Sequence, residues 1–269
     1  MNLSDISTQL LYTTMPIWIE QENGDQFSGT SFILSLPAPD GTANQIPLLI
    51  TNAHVVTNAK RGRVDFVERA DDLPKQGARL RVEIPGAALT AHISDKDDLA
   101  IIPIAGLLNQ LENHGSPAFF RSVSIDLFPK EAIVNELAAM EQITFIGYPS
   151  GLYDEHNFTP LIRQGITATP AWNDYQGDPA FLIDAGVFPG SSGSPVFIMN
   201  QGSYASKTGI TIGSRLLFMG ILTESITRTE RQLPPVFLGI GKVIKAQRIR
   251  EFAESVVDVL TTPTTPPNP

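Results

Sequence analysis

Short apolar runs separated by turn-forming residues make up most of the chain. Eleven of these runs are rich in β-branched and aromatic residues and are bounded by Gly, Pro, Asn or Asp, which is the pattern of short β-strands. They are PIWIEQ (16–21), TSFILSL (30–36), IPLLITNAHVV (46–56), RLRVEIPG (79–86), LTAHIS (89–94), LAIIPI (99–104), QITFIGYP (142–149), AFLIDAGVF (180–188), SPVFIMN (194–200), LLFMGILTE (216–224) and VFLGIGKV (236–243). Strands and helices do not alternate, so the pattern indicates a β-sandwich or β-barrel and not a parallel sheet.

Helical patterns are confined to three segments. SDISTQLLYT (4–13) predicts a short opening helix with Ser4 as its N-cap, and PKEAIVNELAAM (129–140) has Pro129 near its start. KAQRIREFAESVVDVL (245–260) is the longest segment. Its predicted apolar stripe consists of Ile249, Phe252, Val256, Val257 and Leu260. The tail TTPTTPPNP (261–269) has the composition of a disordered or polyproline-like segment.

Composition narrows the range of functions. Of the 269 residues 42% are apolar and 17% are charged, which suits a folded chain with a substantial core. The net charge of −9 argues against a nucleic-acid surface, since such a surface needs clustered Lys and Arg. The lack of cysteine excludes disulfides, thiolate catalysis and Cys-based zinc sites. The N-terminal residues do not form a signal peptide and no run of about 18 apolar residues occurs, so we expect a cytoplasmic protein without a membrane span.

Three polar residues at strand ends are candidates for catalysis. His54 follows the apolar run LLITNA, Asp98 directly precedes LAIIPI, and Ser192 lies in the loop PGSSGSP (189–195). Taken singly, each has a plain structural interpretation: a buried histidine, a capping aspartate and a polar turn. Taken in the order His, Asp, Ser along an all-β chain, they indicate nucleophilic catalysis by serine. The α/β-hydrolase elbow G-x-S-x-G does not fit, because position 194 is Ser.

Several segments resemble those of the chymotrypsin-like (trypsin-fold) serine peptidases, and most closely their bacterial HtrA/Deg-type branch. TNAHVV (51–56) resembles the segment around the family's catalytic histidine, and DLAII (98–102) resembles the segment around its aspartate. IDAGVFPGSSGSPVF (183–197) resembles the segment around its serine. Weaker similarities occur in GTSFIL (29–34), FIGYP (145–149), RQGIT (163–167), MGILTES (219–225) and LGIGKVI (238–244).

This resemblance implies an all-β fold of two six-stranded antiparallel β-barrels, followed by a C-terminal α-helix. The implied domains are a first barrel (1–120) with His54 and Asp98, a second barrel (121–245) with Ser192, the helix (246–260) and the tail (261–269). The peptide-binding (PDZ) domain that usually follows the protease in Deg-type enzymes is not expected within this sequence.

The resemblance also implies a role for each site residue. Ser192 is the expected nucleophile, His54 its general base and Asp98 the partner of the imidazole, with Asp95 and Asp97 as alternatives for the acid. The backbone N–H groups of Gly190 and Ser192 are the expected oxyanion hole. The expected substrate-pocket residues are Gly186, Val187, Thr223, Glu224, Ser225, Gly239 and Gly241. Since position 186 is Gly and not an acid, we expect a preference for small or medium apolar residues, although Glu224 could favour basic ones.

The leading hypothesis is therefore a serine endopeptidase that acts on peptides or proteins without a metal or cofactor. We expect it to be regulated by a protein partner, by assembly or by loop rearrangement, with 104–140 and 150–160 as candidate loops. The alternatives are a catalytically silent peptide-binding module on the same fold and, third, an esterase or transferase that uses the same triad.

Overall fold

Strands dominate the architecture of the computed structural model, which describes residues 3–207, 209–228 and 236–262. The strands of the N-terminal half are β1 (Thr14–Gln21), β2 (Gln26–Pro37), β3 (Gln45–Thr51), β4 (Ala59–Ala70), β5 (Leu73–Pro85), β6 (Ile93–Ser94), β7 (Leu99–Pro103), β8 (Ala118–Phe119) and β9 (Val123–Ser124). Those of the C-terminal half are β10 (Gln142–Gly147), β11 (Leu161–Thr167), β12 (Ala180–Asp184), β13 (Pro195–Asn200), β14 (Ser203–Ser206), β15 (Gly209–Ile212), β16 (Arg215–Arg228) and β17 (Val236–Lys245). The α-helices are α1 (Ile6–Leu10), α2 (Ala53–Val56), α3 (Gly86–Leu89), α4 (Ala105–Asn113), α5 (Glu131–Glu136) and α6 (Ala246–Thr261).

The N-terminal strands form one sheet in the order β5-β4-β1-β2-β3-β7-β6. Six of its strands are five residues or longer, whereas β6, β8 and β9 have two residues each. Strand β8 pairs with β4, and β9 pairs with β2. The β9–β2 pair is parallel, whereas all the other strand pairs of this sheet are antiparallel, as the sequence predicts.

The C-terminal strands close into a six-stranded barrel in the order β10-β11-β12-β17-β16-β13. A separate hairpin, β14-β15, lies outside this ring. The predicted all-β, trypsin-like fold class with a C-terminal helix is therefore confirmed. The predicted domain limits remain a prediction, and β9 at 123–124 still pairs with a strand of the first sheet.

Each half has its own apolar core, and a third cluster joins the two halves. Ile17 and Phe66 belong to the core of the first sheet, and Phe145 and Phe181 to that of the barrel. The joining cluster contains Phe32 from the first sheet and Phe218 from the barrel, whose ring centroids are 5.4 Å apart. A shared layer of packed apolar side chains therefore joins the two halves.

Helix α6 packs on this joining cluster. Its buried side chains are Ala246, Ile249, Ala253, Val256 and Val257. The predicted stripe is thus buried at three positions, but Phe252 is only partly buried and Leu260, in the last turn, is 44% exposed.

Several local features differ from the sequence-based predictions. The N-cap of α1 is Asp5 and not Ser4, because the Asp5 carboxylate accepts the N–H of Thr8 at 2.9 Å. Strand β4 was not predicted, since its outer face carries charged residues around the buried Val64 and Phe66. The run 46–56 ends as a strand at Thr51 and continues as helix α2. Residues 263–269, most of the predicted tail, lie outside the described residues.

Candidate active site

His54 is held at the end of a buried strand with its side chain in the cleft. Strand β3 ends at Thr51, and the single helical turn α2 follows. Its neighbours Ala53 and Val55 point into the core, whereas the His54 side chain is 50% exposed. The alternation of buried and exposed positions in this turn therefore presents the imidazole to solvent. The other three histidines lie elsewhere: His114 and His156 are exposed, and His92 is partly buried.

Asp98 is fixed in a turn that directly precedes β7. Its backbone φ is 48°, in the left-handed region that Asp tolerates better than most residues, and its N–H donates to the carbonyl of Asp95 at 3.3 Å. The side-chain amide of Asn52 donates to the Asp98 carbonyl at 3.0 Å. Since β3 and β7 pair at Thr51 and Ala100, His54 and Asp98 are placed side by side.

The Asp98 carboxylate binds His54 through two different donors. Oδ2 lies 2.8 Å from Nδ1 of the imidazole, and Oδ1 accepts the backbone N–H of His54 at 2.9 Å. The hydroxyl of Thr223, on β16 of the barrel, donates a further hydrogen bond to Oδ2. Burial by itself raises the pKa of Asp98, but the hydrogen bonds from His54 and Thr223 outweigh it and hold the pKa below its usual value. The carboxylate is therefore ionised at neutral pH and faces Nδ1.

The two alternative acids face elsewhere. The Asp97 carboxylate accepts hydrogen bonds from Arg248 of α6, at 3.0 and 2.9 Å, and from the hydroxyl of Ser94 at 3.0 Å. Asp95 is exposed. Of the three neighbouring aspartates, only Asp98 contacts the imidazole.

The three serines of the loop 189–195 differ in their exposure. Ser191 and Ser194 are buried, at 1% and 0%, whereas Ser192 opens into the cleft. The loop owes its shape to two glycines with positive φ, Gly190 at 83° and Gly193 at 92°. Only the central serine is therefore accessible to a substrate.

Thr30, from β2 of the first sheet, anchors this loop across the boundary between the halves. Its N–H donates to the Ser192 carbonyl at 2.9 Å, and its hydroxyl donates to the Gly190 carbonyl at 3.2 Å. A β-carbon on Gly193 would lie 1.7 Å from the Thr30 carbonyl oxygen, so only glycine fits there. Thr30 thereby ties the position of Ser192 to the sheet that carries His54 and Asp98.

Two backbone N–H groups of the loop are unpaired within the described residues. No described residue accepts from the N–H of Gly190 or from that of Ser192. The Ser192 hydroxyl donates to the backbone carbonyl of Thr223 at 3.0 Å and, among the described residues, makes no hydrogen bond with His54. The loop thus offers two unpaired N–H groups beside a serine whose hydroxyl is turned towards β16.

A cleft of about 510 Å³ contains all three candidate catalytic side chains. Its lining residues are His54, Asp98, Val187, Phe188, Pro189, Ser192, Leu222, Thr223, Glu224, Ser225 and Phe237. Four predicted pocket residues, namely Val187, Thr223, Glu224 and Ser225, are among them. The other three, Gly186, Gly239 and Gly241, are not.

Those three glycines form a layer behind the cleft wall. The Gly239 carbonyl accepts the N–H of Gly186 at 2.9 Å, and a β-carbon on Gly241 would lie 2.6 Å from Val187. They allow close packing of the wall without reaching the cleft themselves.

Sequence reasoning missed several residues that shape the site. Thr30 and Asn52 each lie inside a segment that resembles the family, GTSFIL and TNAHVV, so a signal was present but their roles were not deduced. Phe188, Pro189, Leu222 and Phe237 also line the cleft. Phe237 is brought there only by strand β17, so its sequence position gives no sign of the contact.

None of the helices within the described residues has the length and apolar character needed to cross a bilayer. In the same part of the chain, no group of three or more His, Cys, Asp and Glu side chains is arranged to hold a metal ion.

Several solved structures share the fold of this chain. No curated protein matches the chain in sequence. Among solved structures, the HtrA-type protease AlgW with a tripeptide superposes with a TM-score of 0.57 at 15% identity, over 96% of this chain. This chain covers only 64% of the length of the AlgW chain. Deg5 superposes with a TM-score of 0.50 at 15% identity, over 91% of this chain and 88% of Deg5. These likenesses show a shared fold.

The family model of the trypsin-like peptidase domain matches residues 29–204 of this sequence. That span includes His54, Asp98 and Ser192. The chain therefore belongs to the trypsin-like peptidases.

Proposed function

We propose that this chain hydrolyses peptide bonds through a catalytic triad of His54, Asp98 and Ser192. The observation that carries the proposal is the 2.8 Å contact between Asp98 Oδ2 and Nδ1 of a solvent-accessible imidazole, in the same cleft as Ser192. A carboxylate on Nδ1 keeps the proton on that nitrogen, so that Nε2 is free to accept one. Nε2 is the atom that a serine nucleophile needs as its general base.

In the first half of the reaction, Ser192 Oγ attacks the carbonyl carbon of the scissile peptide bond while His54 Nε2 takes the hydroxyl proton. The carbonyl oxygen becomes negatively charged, and the free N–H groups of Gly190 and Ser192 are the donors for it. Collapse of this intermediate breaks the C–N bond, and His54 gives its proton to the leaving amine. The product is an ester between the substrate acyl group and Ser192.

In the second half, a water molecule attacks the ester carbon while His54 takes one of its protons. Collapse of the second intermediate returns the proton to Ser192 Oγ and releases the carboxylic acid product. Asp98 stabilises the positive charge that His54 carries in both halves and does not itself take the proton.

The reaction requires Ser192 to exchange its hydrogen-bond partner. Its hydroxyl now donates to the Thr223 carbonyl and must turn about the Cα–Cβ bond to donate to His54 Nε2. Side-chain rotations of accessible residues take picoseconds to nanoseconds, and catalytic hydrogen bonds are often loose in the free enzyme. The present arrangement is therefore compatible with catalysis once a substrate occupies the cleft.

The hydrogen bond from Ser192 to the Thr223 carbonyl also supports a second candidate function. If Ser192 stays bound to the Thr223 carbonyl, the chain is a peptide-binding module on a protease fold. In that case the cleft would bind peptides but not cut them, unless a partner or an assembly step turned Ser192 towards His54.

A digestion experiment separates the two candidates. The wild-type protein and Ser192→Ala are incubated with an unstructured protein such as casein, and the peptides are sequenced by mass spectrometry. We expect new termini with wild type and none with Ser192→Ala, while the buried-serine control Ser191→Ala still cleaves. Equal cleavage by wild type and Ser192→Ala would contradict the proposal, and binding without cleavage by wild type would favour the second candidate.

A further inference from the structure

Glu224, on strand β16, borders two neighbouring cavities. It lines the cleft that contains Ser192, and it also lines an adjoining cavity of about 480 Å³. Asp98 and Thr223 line both cavities as well, so the second cavity lies directly beside the proposed triad. Glu224 is exposed, whereas Leu222 and Thr223 before it are buried. A peptide bound in the cleft can therefore reach the Glu224 carboxylate.

Strand β16 has a free edge on the cleft side from Thr223 onwards. Its pairing with β13 ends at Ile221. The backbone of Leu222 then binds the serine loop, through hydrogen bonds with Ser194 and Gly193 of 2.9 Å each. Beyond this point the strand partner of β16, within the described residues, is β17 alone. An extended peptide can add to such an edge by main-chain hydrogen bonds, and its side chains then point alternately to the two faces.

The two faces of this edge differ in chemical character. Ser225 is turned towards the apolar wall Val187–Pro189, because its hydroxyl donates to the Val187 carbonyl at 3.0 Å. Its neighbour Glu224 lies on the opposite face of the strand, where the second cavity is. A peptide on this edge therefore places one side chain against the apolar wall and the next one beside a carboxylate.

Glu224 has no ion pair or hydrogen bond of its side chain within the described part of the chain. It lies opposite Lys242 in the β16–β17 register, but the Lys242 ammonium binds Asp178 at 2.6 Å. Arg248, which also lines the second cavity, is bound by Asp97 at 2.9 Å. Both cations are thus neutralised by other carboxylates, and the charge of Glu224 is left without a partner.

The charges around the cleft favour a cation. Apart from His54, the charged groups among the described residues that line the cleft are Asp98 and Glu224, and both are acids. The Asp98 carboxylate is already bound by His54 and Thr223. The second cavity is lined by four acids and three bases, of which Lys96 is exposed. Acids therefore outnumber bases in both cavities, so that a cationic side chain is attracted there and an anionic one is repelled.

We propose that Glu224 makes this peptidase select substrates with a lysine or arginine next to the residue that contacts the apolar wall. The inference rests on the proposed function, because it names the substrate class of the same site. A carboxylate binds an ammonium or guanidinium group through charge-assisted hydrogen bonds, which a neutral side chain of similar length cannot match. The two expectations from the sequence, an apolar residue and a basic one, thus apply to neighbouring positions of one peptide.

The test uses peptides with a single leucine for the apolar wall, in which the residue on one or the other side of the leucine is Lys, Gln or Glu. We expect kcat/KM for the better Lys peptide to exceed that for its Gln counterpart about fivefold at low ionic strength, the upper range for an exposed ion pair. The Glu counterpart should be cleaved more slowly than the Gln peptide, and added salt should reduce both differences.

Variants assign this preference to one side chain. In Glu224→Gln the ratio of kcat/KM between the Lys and Gln peptides should fall to about one, and Glu224→Lys should favour the Glu peptide instead. Glu254→Gln is the matched control, since Glu254 is an exposed glutamate on helix α6 that lines neither cavity. It should leave the ratio unchanged. A preference for Lys that survives in Glu224→Gln would overturn the inference.

Binding measurements separate failure of this inference from failure of the proposed function. The same peptides are titrated onto Ser192→Ala, with and without Glu224→Gln, so no catalysis is needed. Tighter binding of the Lys peptide that depends on Glu224 supports the inference, even if the wild-type protein cleaves nothing. Equal binding and equal cleavage of the Lys and Gln peptides by proteins that retain Glu224 would overturn it, even if Ser192 proves to be an active nucleophile.

Discussion

Ser192 donates its hydroxyl hydrogen bond to the backbone carbonyl of Thr223, at 3.0 Å, and the hydroxyl of the same threonine donates to Asp98. One residue of β16 therefore contacts two members of the proposed triad, which come from different halves of the molecule. The chain of contacts runs from the serine through Thr223 to the carboxylate and on to His54. We therefore expect Thr223 to act as a positioning residue for the proposed triad.

Removing the Thr223 hydroxyl should weaken catalysis without disturbing the fold. Thr223→Val keeps the branched shape but loses the hydrogen bond to Asp98, so we expect kcat/KM to fall about tenfold, the cost of one hydrogen bond to a charged group. Thr223→Ser keeps the hydroxyl and should remain within about threefold of wild type on the same scale. The pH–rate profile of each variant is measured alongside. A purely structural role would leave that profile unmoved, whereas loss of the Asp98 contact should shift its acid limb.

Asp98→Asn should cost far more. The variant keeps the shape of the side chain and a residue that tolerates the positive φ, but Nδ1 then faces an amide and the imidazole is no longer held in the productive tautomer. We expect kcat to fall by about 10,000-fold. The exposed neighbour Asp95 supplies the control Asp95→Asn, which should retain activity. An Asp98→Asn enzyme with more than a tenth of wild-type activity would show that this carboxylate is not the triad acid.

Gly193 should not tolerate even a methyl group. In Gly193→Ala the β-carbon would meet the Thr30 carbonyl at 1.7 Å on a backbone with a φ of 92°, so the loop must shift and carry Ser192 with it. Gly202→Ala is the matched control: its φ is 84°, but no atom lies within 4 Å of the added carbon. Urea unfolding should show a loss of about 1 kcal/mol for Gly202→Ala, from backbone strain alone, and a larger loss for Gly193→Ala. Activity should disappear only in Gly193→Ala, and equal losses in both variants would argue against a clash at Thr30.

The ion pair between Asp97 and Arg248 should make a pH-dependent contribution to the free energy of unfolding. Burial raises the pKa of Asp97, but hydrogen bonds from Arg248 and Ser94 outweigh it, and the pKa lies below its ordinary value of 3.8. A carboxylate whose pKa is lowered by folding stabilises the protein above the unfolded pKa, and that contribution disappears as the pH falls through the folded pKa. Asp97→Asn should therefore lower the free energy of unfolding by about 1–3 kcal/mol at pH 7.

The difference between wild type and Asp97→Asn should shrink steadily below a pH of about 4. Urea titrations of both proteins at several pH values measure it, and Asp95→Asn shows the behaviour of an exposed aspartate in the same turn. A difference that stays constant down to pH 2 would mean that Asp97 contributes no charge-dependent stability.

The site and the fold were predictable from the sequence to different extents. The strands in apolar runs such as 99–104 and 142–149 could be predicted, because turn-forming residues bound these runs on both sides. Strand β4 escaped prediction because Arg61, Arg63 and Asp65 interrupt its apolar pattern, and its pairing with β1 and β5 becomes apparent only in three dimensions. Helix α4 lies in a segment that composition alone assigns to a loop.

The three positions of the proposed triad follow from short motifs, but the residues that hold them in place do not. Thr30 reaches the serine loop from a distance of about 160 residues along the chain, and no local pattern marks such a contact. Tertiary packing alone brings Thr30 to the loop.

Labelling of Ser192 by a fluorophosphonate probe tests the central claim most directly. The probe reacts with a serine only when a general base activates it, and mass spectrometry identifies the modified residue. We predict that wild type is labelled on Ser192, that Ser192→Ala is not labelled, and that Asp98→Asn is labelled far more slowly. Absence of labelling on Ser192 in wild type, or equal labelling of wild type and Ser192→Ala, would contradict the account.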